Sequence, residues 1–76
     1  MDSRLRHTLL RLRFATSIHE AEARFDAFVA AVLPLPLQRR PGSEEVRDSL
    51  LITGLPADVV NRLSELYVER VWAIDE

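Results

Sequence analysis

Four arginines, Arg4, Arg6, Arg11 and Arg13, stand within the first thirteen residues against a single acid, Asp2. A guanidinium carries five donors in a rigid fork that matches the oxygens of a carboxylate or a phosphate. The cluster therefore predicts contact with an acidic protein surface, or alternatively with nucleic-acid phosphates. Beyond residue 13 the balance reverses, with six arginines against eleven acids. That acidity, and the lack of aromatic residues interleaved with the arginines, favours a protein surface over nucleic acid.

The other residue types that do chemistry are few. All ten basic residues are arginine and none is lysine, which removes Schiff-base chemistry and the phosphate-binding lysines of P-loops and kinases. Without cysteine there is no disulfide, no thiolate nucleophile and no zinc knuckle. The two histidines, His7 and His19, form no metal-ligand pattern. Ser3, Ser17, Ser43, Ser49 and Ser64 offer hydroxyls for which only those histidines could act as base, and no pair stands out. His19, beside Glu20, reads as solvated on a helix face; His7 reads as a surface residue of the arginine arm. Glu44 and Glu45 read as solvated partners of Arg39 and Arg40 at a turn, since acid pairs that work on a substrate need a cleft. The expectation is a protein that is not an enzyme, with no cofactor, no metal and no small-molecule substrate.

One stretch, residues 17–33, organises the rest. Ser17 and Glu20 have the spacing of a capping box. Ile18, Ala21, Phe25, Phe28, Val29 and Val32 then fall on one helical face about 100° wide, and Pro34 with Pro36 stops the helix because neither can donate its amide. The opposite side carries Ala23, Ala27, Ala30 and Ala31, a ridge without long side chains that lets a second backbone come close.

Around this helix the pattern predicts strands. Leu10, Leu12 and Phe14 alternate with Arg11 and Arg13, the period of a half-buried strand over 8–15; a helix over 4–15 would put its leucines at 5, 9 and 12 opposite the apolar residues at 10 and 14. Pro41-Gly42 suits a type II turn, which predicts a hairpin of 35–40 with 45–53 that ends at Gly54. A second helix follows Leu55-Pro56, with Asp58 near its positive end. Its face is Val59, Val60, Leu63, Leu66, Tyr67, Val71 and Ile74, and Val68 and Trp72 lie off that face. A continuous helix is preferred there to a last strand over 68–75. The order β-α-β-β-α, with a possible terminal strand, is the split β-α-β pattern of ferredoxin-like α+β folds, with the helices on one face of an antiparallel sheet. Residues 1–76 make a single domain whose residues 1–7 form a basic arm.

Residues 51–56, LITGLP, resemble the first RNA-binding strand of an RRM domain. The resemblance covers six residues, lacks the aromatic stacking position and has no second motif, so it identifies no family.

With catalysis set aside, the sequence predicts a protein-interaction module: a small regulatory, inhibitory or accessory protein that docks on itself, as a two-fold homodimer, or on a larger protein. Val68 and Trp72, or the ridge of Ala23, Ala27, Ala30 and Ala31, are the expected contact surfaces. The alternative is nucleic-acid binding through Arg4, Arg6, Arg11 and Arg13. No apolar run approaches the ~20 residues of a membrane span and no secretory leader is evident, so the expected compartment is the cytoplasm.

Overall fold

Leu5, Leu9 and Leu12 recur at the spacing of one helical face, and helix is what they form. The computed structural model describes residues 1–73. Helix α1 (Ser3–Leu10) begins where the Asp2 carboxylate accepts the Arg4 amide at 2.7 Å. It runs on into a 3₁₀ turn (Arg11–Phe14), so residues 3–7 of the expected basic arm are helical. All three leucines are buried. The strand expected over 8–15 is absent because its alternation was not a burial pattern. Of Leu10, Leu12 and Phe14 only Leu12 is buried, and Phe14 is 57% exposed. The Arg13 guanidinium covers the Phe14 ring at 4.7 Å from its centroid, a cation–π contact that holds an apolar side chain at the surface.

Helix α2 (Ile18–Val32) starts as the sequence predicts. Ser17 Oγ accepts the Glu20 amide at 3.1 Å. The returning bond goes one residue further out than in the usual box, with the Glu20 carboxylate accepting the Thr16 amide at 3.3 Å and the Thr16 hydroxyl at 2.8 Å. These Thr16 bonds, with Arg24, hold the Glu20 carboxyl below its ordinary pKa. Ala21, Phe25, Phe28, Val29 and Val32 are buried, whereas Ile18 is not.

The expected hairpin is replaced by helix α3 (Ser43–Ile52). Pro41-Gly42 leads into that helix instead of turning between strands. Glu44 and Glu45 sit in its first turn, where negative charge is favoured, and Val46, Ser49 and Leu50 face inward. Leu50-Leu51-Ile52 suggested a strand covered on both faces; in fact Leu51 and Ile52 are 52% and 68% exposed. The RRM-like hexapeptide is thus the end of α3 and the loop after it. Gly54 ends α3 at φ +80°, the left-handed position that favours glycine. A Cβ at Gly54 would meet no atom within 4 Å, so Gly54→Ala isolates backbone strain. Thermal unfolding is expected to show a loss of about 1 kcal/mol, and an unchanged midpoint would refute that reading.

Helix α4 (Ala57–Tyr67) follows Pro56, with Asp58 in its first turn. It continues without a break into a π turn (Val68–Trp72), closed by the Ala73 amide donating to the Val68 carbonyl at 2.7 Å. The continuous helix is therefore right through residue 72, and no strand forms over 68–73; residues 74–75 of the expected strand, and Ile74 of the expected face, lie outside the described residues. Val60, Leu63, Leu66, Tyr67 and Val71 are buried.

Among the described residues there is no strand, so the α+β ferredoxin-like expectation, and the small α+β domain with it, is corrected to an all-helical fold. The main packings are α1 on α2, α1 on α3, α3 on α4 and α2 on α4. Around the core the order is thus α2, α1, α3, α4, closing back on α2. Phe25, Phe28 and Tyr67 fill the centre with ring centroids 5.6–6.3 Å apart. Arg62–Glu22 at 3.4 Å and Arg70–Asp26 tie α4 to α2.

The segment between α2 and α3 is fastened by Arg40, which the sequence placed at a solvated turn. Its Nε donates to the Leu35 carbonyl at 2.9 Å, one terminal nitrogen to the Leu33 carbonyl at 2.7 Å and the other to the Val71 carbonyl at 3.0 Å. Next to it the buried Pro41 carbonyl accepts from the Tyr67 hydroxyl and from Trp72 Nε1, the latter at 3.2 Å. This clasp joins the end of α2 to the end of α4.

Candidate functional site

Once α1 buries Leu5, Leu9 and Leu12, the residues between them must point outward. Arg4, His7, Thr8 and Arg11 then share one exposed stripe at i, i+3, i+4 and i+7. Along α2 this stripe forms a cleft of about 220 Å³ lined by His7, Thr8, Arg11, Arg24 and Ala27. Two depressions adjoin it, one bounded by Ser3 and Arg4 and the other by Leu10, Arg13 and Phe14, with His7 common to all three. The result is a basic trough whose α2 wall includes one of the small residues of the alanine ridge. Ala23, Ala27, Ala30 and Ala31 are all exposed.

The arginines are not equivalent. Arg24 is held by Glu20, at 3.2 Å and 3.0 Å from its carboxylate. Arg6 lies on the other side of α1, in a cleft with Glu45 and Asp48 of α3, so it does not join Arg4 and Arg11. Among the described residues no carboxylate comes within 4 Å of Arg4, Arg11 or Arg13. The Thr8 hydroxyl donates to the Arg4 carbonyl at 3.0 Å, which leaves it turned to the backbone.

A second cleft, of about 440 Å³, lies between α3 and α4. Ser43, Glu44, Arg47, Ser64, Glu65, Val68 and Glu69 line it. Val68, 42% exposed, supplies its apolar patch, and Ser64 Oγ is buried there with no hydrogen-bond partner among the described residues. Trp72 is not beside Val68 on a free surface. It is half-buried against the core, with its indole nitrogen bound to Pro41.

Sequence reasoning named the arginines, the alanines and Val68 as candidates but not the two clefts, the first of which takes in Arg11 and Ala27 and the second Val68. The polar stripe Arg4, His7, Thr8, Arg11 is the signal that would have found the first, since it complements Leu5, Leu9 and Leu12. Among the described residues no three His, Asp or Glu side chains gather as metal ligands, and no helix is long and apolar enough to cross a membrane. Comparison with known proteins finds no matching family model, curated protein or solved structure.

Proposed function

We propose that the chain is a cytoplasmic protein-docking module that receives an acidic, helix-presenting protein surface in the trough between α1 and α2. The observation that carries this reading is the meeting of Arg11 with the small side chain of Ala27 in one groove, with Arg4 in an adjoining depression that shares His7 and Thr8; neither arginine has an acidic partner among the described residues. Guanidinium forks suit carboxylates, and an alanine wall lets the incoming backbone come close. Binding, not catalysis, is the action proposed.

Nucleic acid is the second reading, because the same two arginines suit phosphates; the surface offered is a helical stripe and not the strand that the sequence suggested. The two separate experimentally at Ala27. Ala27→Arg obstructs a docking helix but adds a positive charge that strengthens phosphate binding. Titration of a fluorescent helical peptide of alanine and glutamate is expected to show about tenfold weaker binding for Arg4→Ala with Arg11→Ala, and a similar loss for Ala27→Arg. Tighter binding of Ala27→Arg to duplex DNA or RNA, together with indifference of the peptide to all three changes, would favour nucleic acid and remove the docking proposal.

A further inference from the structure

The helix order places the two clefts on opposite sides of the bundle. One lies between α1 and α2, the other between α3 and α4, and these pairs face each other across the core. Their charges are opposite as well. Arg4, Arg11 and Arg13 border the trough; Glu44, Glu65 and Glu69 border the cleft, with Arg47 the one positive group there. We infer that the acidic surface which fits the trough is the α3–α4 cleft of a second copy, so that molecules associate head to tail. The inference rests on the docking reading and names its partner.

Charge complementarity is one support, and the cleft itself adds another. Val68 offers an exposed apolar contact for the small side chain of Ala27 on α2. A two-fold dimer would have to bring trough and cleft to one face, and on this molecule they point apart. The self-association expected from the sequence as a homodimer is therefore replaced by a heterologous contact, which leaves a free trough at one end and a free cleft at the other and so propagates into open chains.

That geometry has a test that a two-fold dimer fails. Arg4, Arg11, Glu65 and Glu69 are all exposed, so alanine at these sites should leave the fold intact, as circular dichroism will verify. One variant, Arg4→Ala with Arg11→Ala, keeps only its cleft; another, Glu65→Ala with Glu69→Ala, keeps only its trough. Sedimentation from roughly 10 μM to 1 mM is the range for weak association. At ~50 mM salt the wild type should gain mean mass continuously with concentration, and fall toward monomer at ~500 mM. Each variant alone should stay monomeric, and a mixture of the two should form one-to-one dimers and stop. A wild type that is monomeric throughout, variants that associate alone, or a mixture that stays monomeric would each overturn the inference. The alanine-glutamate peptide separates the underlying reading. Should it bind the Glu65→Ala, Glu69→Ala variant while the wild type stays monomeric, docking stands and the second copy is the wrong partner. If the peptide does not bind either, both fall.

Discussion

Replacing Arg40 by alanine is expected to cost about 2–4 kcal/mol, because hydrogen bonds from a charged donor are each worth ~1.5–3 kcal/mol where solvent is restricted. The lower end applies, since the contact to Leu33 is exposed while those to Leu35 and Val71 are partly buried. A domain of this size holds only ~3–5 kcal/mol in all, so much of the population should unfold at mild urea concentrations. Arg40→Lys should recover less than half, since a compact ammonium cannot span two carbonyls of the α2–α3 connection and a third after α4. Urea unfolding followed by circular dichroism measures both. A loss below about 0.5 kcal/mol for the alanine variant, the size of an ordinary surface change, would show that the clasp contributes little.

The second large effect is expected at Tyr67, which is fully buried. Its ring centroid lies 5.9 Å from that of Phe28 and 6.3 Å from that of Phe25, so Tyr67→Ala opens a cavity at the centre and should cost about 3–5 kcal/mol. Tyr67→Phe keeps the ring and loses only the bond to Pro41, for about 1 kcal/mol. The hydroxyl also makes stability depend on pH. Burial pushes its pKa up, with the neighbouring Trp72 and then Arg40 opposing and Glu45 reinforcing the rise. The folded state therefore prefers the neutral phenol. Its contribution is complete below the unfolded value near 10 and is lost as pH rises through the folded value. Tyr67→Phe should abolish that alkaline loss in urea titrations at pH ~8 to ~11; an unchanged slope would mean another group is responsible.

The parts of the fold that were legible in the sequence are those set by neighbours along the chain. The box at Ser17 and Glu20, the prolines after Val32 and the inward face of Phe25, Phe28 and Val29 are local signals, and α2 follows them closely. The strands were misread because exposed apolar residues imitated a second buried face: Phe14 is held outside by Arg13, and Leu51 and Ile52 simply remain in solvent. Leu5, Leu9 and Leu12 carried the true period but were weighed against these decoys. Pro41-Gly42 fits the approach to a helix as readily as a turn. The π turn carries no glycine or proline to mark it. Of the candidate site, the arginines and alanines could be named but not grouped, since their grouping depends on which helix lies beside α1. The role of Arg40 depends on carbonyls from residues 33 to 71 and has no sequence signature.

The span of that clasp also bears on how the chain folds. Helical bundles rich in near-neighbour contacts reach their folded state in microseconds to milliseconds, and α1 with α2, or α3 with α4, can pair over short loops. The bonds from Arg40 to Val71 and from Trp72 to Pro41 each close 31 residues of chain, and both lie at the open end of the α3–α4 pair, where the residues before α3 meet the last turn after α4. They can therefore form as that pair closes, before α1 and α2 dock against it. The remaining Arg40 bonds, to Leu33 and Leu35, fix the chain that leaves α2 at the mouth of the same helix pair, so one guanidinium both fastens a helix pair and sets where the preceding helix must end.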